Sequence, residues 1–213
     1  MTETLSPVDS GAPRRLLHRR SIECYGYQRD DGLWDIEARM VDTKTYGFAN
    51  HDRGRIEPGE PLHGMWLRVT CDDDLTIVDA QAVTEHGPFR QCPDIAPAYA
   101  RLKGLQIGKG FDRAIRSLFD GAAGCTHLRE LLRPIATTAF QTIFPAREKK
   151  RREQAADHKP GILDSCYALR SDGEVVQREW PAFYTGPEAH PGTPAANTLD
   201  KEWKHRTVEP DHP

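Results

Sequence analysis

The chain lacks any long apolar run. Its longest uncharged stretch in the region that reads as helix, Pro134 to Ala146, contains Thr137, Thr138, Gln141 and two prolines. That is short of the ~20 residues a bilayer-spanning helix needs. It also lacks an excess of positive charge: 29 Lys and Arg against 32 Asp and Glu give a net charge of -3, which argues against a general nucleic-acid binder. Two basic runs exist, "RRLLHRR" at 14–20 and "REKKRREQ" at 147–154; the second carries two glutamates after a helical segment and reads as a solvated helix end. An apolar leader is missing as well, since Glu3 and Asp9 interrupt the first residues, so no secretory signal is expected. The five cysteines, at 24, 71, 92, 125 and 166, are odd in number and widely spaced. They make no disulfide framework and suit a reducing cytoplasm, with most thiols acting as small hydrophobes.

Several catalytic signatures are absent too. No G-x-S-x-G elbow is present, which removes the usual serine-hydrolase arrangement. "GLQIGKGF" matches a phosphate loop only loosely, because Gly110 stands where Ser or Thr would be needed. The aspartates of "CDDD" lack the distal glutamate of a calcium loop and read as a turn.

What remains is a globular chain with polar ends. "MTETLSPVDSGAP" and the Pro-rich segment from residue 185 to 213 are poor in aliphatics and are expected as tails at 1–13 and 185–213. A single domain is expected over 14–184. Its first half reads as antiparallel hairpins. Asp31-Gly32 in "IECYGYQRDDGLWDIEARMV" is a two-residue hairpin signal. Pairing across it sets Tyr27 opposite Ile36, Tyr25 opposite Ala38 and Gly26 opposite Glu37, with Tyr25, Tyr27, Trp34 and Met40 on one apolar face; a slip of one residue reverses the faces. "LHGMWLRVT" and "LTIVDAQAV" form a second hairpin around the aspartates. From Cys92 the pattern turns helical, with Phe111, Ile115, Leu118 and Phe119 on one helix. Another starts at Thr126 or His127 with a stripe of Leu128, Leu131, Leu132, Ile135, Ala139 and Ile143. "ILDSCYALRSDGEVVQREW" is expected to close the core with a hairpin at Asp172-Gly173. Strands first and helices after imply an α+β fold: antiparallel hairpins in a curved sheet against about three helices.

Four titratable residues stand out. Cys125 and His127 sit at the start of the third helix, where anions and developing negative charge are favoured; Thr126 as an N-cap would explain the same residues without any chemistry. Glu37, beside the hollow left by Gly26, is placed as a general base or ligand anchor, or else belongs to a solvated sheet face with Arg39. His63 begins a strand next to Gly64. If it meets Cys125 and His127, the three are suitable zinc ligands, yet no C-x-x-C or H-x-x-x-H pair supports a metal, and none is expected.

"RDDGLWDIEARMVDTKTYGF", "PLHGMWLRVT" and "GCTHLREL", in this order, resemble a bacterial family known as domain of unknown function 2889, over roughly residues 19 to 145. The resemblance implies breakdown of plant-derived, lignin-type aromatic compounds by a cofactor-independent lyase. Such a lyase needs a base to take a hydroxyl proton, so that a carbon–carbon bond breaks and a small aldehyde leaves, and a polar pocket for the phenolate. On this reading Glu37 or His63 is the base. The Cys125–His127 helix entrance and Lys44 hold the anion, Tyr25, Tyr27 and Trp34 stack the ring, and Arg68 joins the substrate contacts. The expected partner is a small aromatic substrate, with no nucleic acid and no membrane; a homo-oligomer stays open. A thiol hydrolase using Cys125, a metal-dependent hydrolase, and a non-catalytic aromatic-binding module are the alternatives.

Overall fold

The computed structural model describes residues 11–154 and 158–187, so most of both expected tails lies outside the described residues. The chain divides into two compact units between Lys150 and Arg151.

The first unit is an α+β fold. Strands β1 (His18–Gln28), β2 (Trp34–Lys44), β5 (Pro61–Cys71) and β6 (Ile77–His86) make one antiparallel sheet in the order β1-β2-β5-β6. Between β2 and β5 a small hairpin, β3 (Phe48–Asn50) with β4 (Gly54–Ile56), stands as a separate two-stranded sheet. A 3-10 segment over Cys92–Leu102 leads to helix α1 (Phe111–Phe119) and then α2 (Thr126–Gln154).

Burial alternates along β2, with Trp34, Ile36, Ala38, Met40 and Asp42 buried and the residues between them more open. This is the period of a strand covered on one side. The covering comes from the helical segments: Tyr99, Leu102, Phe111, Ile115, Phe119 and the α2 stripe share one core with the inner sheet face. Leu128, Leu131, Leu132, Ile135, Ala139 and Ile143 are all fully buried, as their spacing predicts.

The β1–β2 register differs from the expected one by a single residue. Tyr27 pairs with Asp35, Gly26 with Ile36, and Tyr25 with Glu37. The connection has three residues, Asp30-Asp31-Gly32. The Gly32 N–H donates to the Arg29 carbonyl at 3.2 Å and the Arg29 N–H to the Leu33 carbonyl at 2.8 Å, while Gly32 has φ +84°. That is a tight turn followed by a left-handed glycine bulge, the common three-residue hairpin. The extra residue moves every β1 side chain to the other face. Tyr25 and Tyr27 therefore lie on the outer face, and Gly26 points to the helices. No hollow stands above it: a Cβ added at Gly26 would lie 2.0 Å from Thr142 Oγ1 of α2, so glycine there permits close helix–sheet approach.

At the β5–β6 turn the Asp72 carboxylate accepts hydrogen bonds from the Asp74 and Thr76 N–H groups at 2.9 and 2.8 Å, so this aspartate builds the turn itself. In the second unit the expected hairpin at Asp172-Gly173 is replaced by a turn into a short helix, α3 (Glu174–Glu179). The Gly173 N–H donates to the Arg170 carbonyl. Asp164 holds the preceding loop through the Ser171 N–H and hydroxyl at 2.7 and 2.6 Å, and Gly173 then serves as the residue before the first helical turn.

Candidate functional site

The inner sheet face is apolar up to Met40 and Met65, and then turns polar. Asp42 continues the buried alternation of β2, and the register sets Arg20 of β1 and His63 of β5 on either side of it. Asp42 is fully buried. A buried carboxylate is costly unless its oxygens are satisfied, and here they are. Arg20 donates Nε to Oδ1 and Nη2 to Oδ2, both at 2.7 Å, a fork geometry that only arginine offers. His63 Nδ1 lies 3.0 Å from Oδ2, and His18 Nε2 lies 3.3 Å from Oδ1. Arg20 also pairs with Glu130 of α2.

The start of α2 closes this cluster from above. The Arg129 N–H donates to the Cys125 carbonyl at 2.9 Å, which makes Cys125 the N-cap and puts Thr126 inside the helix. The Cys125 peptide is clamped by buried Tyr99, whose hydroxyl donates to the Cys125 carbonyl at 2.8 Å and accepts from its N–H at 3.2 Å. Two residues on, the His127 ring stacks on His63 with centroids 3.7 Å apart. His127 Nε2 is 3.9 Å from Asp42 Oδ2, and its Nδ1 is 3.9 Å from Cys125 Sγ.

Burial alone would raise the Asp42 pKa. The hydrogen bonds and charge of Arg20, with His63 and His18, outweigh it and hold the carboxyl at about 2. For His63 burial dominates and pushes the pKa below its ordinary value, assisted by His127 and opposed by the Asp42 hydrogen bond. His127 is lowered by burial and by Arg20. The result is an ionised carboxylate facing imidazoles that favour the neutral form. With Asp42 as acceptor, His63 carries its proton on Nδ1 and leaves the Nε2 lone pair free, the arrangement of an oriented base.

Asp42, His63 and His127 also have ligand atoms within 4.8 Å of one another, a two-histidine, one-carboxylate donor set. Against a cation there, both Asp42 oxygens already serve the Arg20 guanidinium, and the two rings stack face to face. A metal would have to displace that charge-assisted fork and turn the rings.

Of the residues singled out in the sequence, His63, Cys125 and His127 come together. Glu37 and Arg68 lie on the opposite, outer face as cross-strand partners; Arg68 Nη2 donates to Gln81 Oε1 at 2.9 Å, and its guanidinium lies 5.7 Å from the Trp66 ring. Tyr25 and Tyr27 stack on each other on that face, half exposed, with centroids 6.3 Å apart. Trp34 is buried on the inner face with its Nε1–H donating to Asp73 Oδ1 at 3.0 Å. Lys44, paired with His18 at the end of β2, lies with its Nζ 5.4 Å from the Tyr46 ring. The aromatic side chains proposed for stacking are therefore divided between two faces of the sheet. Asp42, Arg20, His18 and Tyr99 were not singled out. The signal for Asp42 was its place as the next even step after Trp34, Ile36, Ala38 and Met40.

No curated protein and no solved structure matches the chain. One family does, described only as a protein of unknown function (DUF2889), over residues 18–141; that span opens at the first residue of β1 and includes every member of the cluster. The chain belongs to the domain of unknown function 2889 family.

Proposed function

We propose that the chain is a small-molecule enzyme of the acid–base type, a lyase with His63 as its general base. The observation that carries this reading is the 3.0 Å contact between His63 Nδ1 and the fully buried Asp42 carboxylate, which the Arg20 guanidinium also holds. Such a pair fixes tautomer and ring orientation and steadies the imidazolium that forms when Nε2 takes a proton. The substrate is a phenolic, lignin-type compound with a primary hydroxyl, as a hydroxymethyl group, on one carbon of its linkage and an aryl ether on the next, so that the aryloxy group is the one that leaves. His63 removes the hydroxyl proton, the O–H pair becomes the aldehyde C=O, and the carbon–carbon bond breaks. The released pair forms a carbon–carbon double bond and expels a phenolate from the adjacent carbon, which takes back the proton. The polar wall of Cys125 and His127 at the α2 start would face that developing anion.

A thiol reading uses Cys125, His127 and Asp42 in a line. Cys125 Sγ and His127 Nδ1 are 3.9 Å apart, within reach for sulfur, but His127 Nε2 is also 3.9 Å from Asp42 Oδ2, too long for the orienting hydrogen bond, so the shorter His63 arrangement is preferred.

The test is aldehyde release from lignin-type dimers bearing a primary hydroxyl, followed by mass spectrometry. His63→Ala should lower turnover by about 10²–10⁴-fold. Glu37→Gln and Cys125→Ser should leave most of it. Full activity in His63→Ala would remove His63 as the base, and loss of activity in Cys125→Ser alone would replace this reading with the thiol one.

A further inference from the structure

The edge of the sheet formed by β1 calls for a partner. β1 runs for 11 residues, about twice the usual strand length, and among the described residues it pairs only with β2. Edge strands normally carry a proline, a bulge, a short length or charged side chains that block further pairing; of these β1 carries the charges, in both signs, with Arg20 turned inward and held by Asp42. β1 has no proline and its register with β2 is unbroken. The pairing even extends beyond it, since the Thr45 N–H donates to the Leu17 carbonyl at 3.3 Å. Exposed apolar side chains concentrate there: Leu16, Leu17, Ile22, Tyr25 and Tyr27 are all at least 39% exposed.

We propose that β1 pairs antiparallel with β1 of a second copy of this chain, with Ser21 on the two-fold axis, joining two four-stranded sheets into one. An axis relating antiparallel neighbours stands perpendicular to the sheet, so each residue must meet a residue of its own face. On the outer face β1 presents Arg19, Ser21, Glu23 and Tyr25, and the residue just before it, Leu17, continues the same face. With Ser21 on the axis, Arg19 faces the partner's Glu23 and Leu17 faces the partner's Tyr25, and each pair occurs twice. Centring on Arg20 or Glu23 would set like charges against each other, and centring on Ile22 would leave both charges unmatched. Among the described residues neither Arg19 nor Glu23 has an ion-pair partner within its own chain. Opposite charges directly across an antiparallel pair are favourable and like charges are not. The same strand supplies His18 and Arg20 to Asp42, so pairing at this edge also braces the strand that holds the buried carboxylate.

The test is light scattering of the full chain after size exclusion, across a range of concentrations. The wild type should show twice the chain mass. Glu23→Arg and Arg19→Glu should each give the single-chain mass while keeping the wild-type circular dichroism, and the double swap should regain the doubled mass. Ser21→Cys should give a covalent dimer through residue 21 on mild oxidation, identified by peptide mapping. A wild type of single-chain mass at all concentrations overturns the proposal; that is the outcome if another segment of the same chain covers the edge. Doubled mass unaffected by both single swaps overturns it as well, because the chains would then associate elsewhere.

Discussion

Replacing Asp42 by asparagine keeps the shape of the side chain and removes the charge on which the site depends. The carboxyl has an ordinary pKa of 3.8 and is held at about 2 in the fold. At about 1.4 kcal/mol per pH unit, this difference gives about 2.5 kcal/mol of stability at neutral pH. The cost stays near that figure, below the ~3–5 kcal/mol of an abandoned buried charge, because Arg20 is 31% exposed and keeps Glu130. For a chain of this length, about 2.5 kcal/mol is about 5–10 °C in melting temperature. A depressed carboxyl contributes fully above its unfolded pKa and loses that contribution as pH falls toward its folded one. The difference between wild type and Asp42→Asn should therefore be nearly the same at pH 7 and pH 5, fall to about half at pH 3 and to about a sixth at pH 2, and vanish only below that. Urea unfolding of both proteins across that range measures it. A difference under about 1 kcal/mol at pH 7, or one unchanged at pH 3, would refute the claim that Asp42 is held ionised by its partners.

Three further outcomes follow from the same geometry. Because burial lowers the His63 pKa, the acid limb of kcat/KM for the lyase reaction should lie below pH 6.5, the ordinary histidine value; a limb above it would mean that the Asp42 bond dominates. Gly26→Ala should cost about 1–3 kcal/mol by overpacking, since the new Cβ meets Thr142 Oγ1. Adding Thr142→Ala should recover part of that loss in thermal melts. Tyr99→Phe should cost about 1–3 kcal/mol through the lost bond to the Cys125 carbonyl, and should quicken alkylation of Cys125, read by mass spectrometry.

The period of the sequence carried most of the architecture. The α2 stripe from Leu128 to Ile143 and the aspartate turn at 72–74 could be read residue by residue, because each depends only on local spacing. The β1–β2 faces could not. "RDDGL" supports both a two-residue and a three-residue connection, and nothing local separates them. That single ambiguity moved Tyr25 and Tyr27 away from the helices and took the expected hollow at Gly26 away from Glu37, whose own place on the outer face is the same in either register. It also concealed the centre of the site, because Arg20 reaches Asp42 only in the longer-loop register. His63, Cys125 and His127 were visible as chemistry-bearing residues beside chain breaks. Their convergence on one carboxylate depends on tertiary packing, and Tyr99 depends on it too, since no local pattern links residue 99 to a helix starting at 126.

The role of His63 is tested most closely by nitrogen-15 NMR of the histidine rings at pH 7 in wild type and Asp42→Asn, with His63 assigned through His63→Gln. The wild type should show a neutral His63 ring with its proton on Nδ1 and a free Nε2, and that preference should be lost when Asp42 becomes asparagine. A wild-type ring protonated on Nε2 alone, or doubly protonated at pH 7, would contradict His63 as the oriented base.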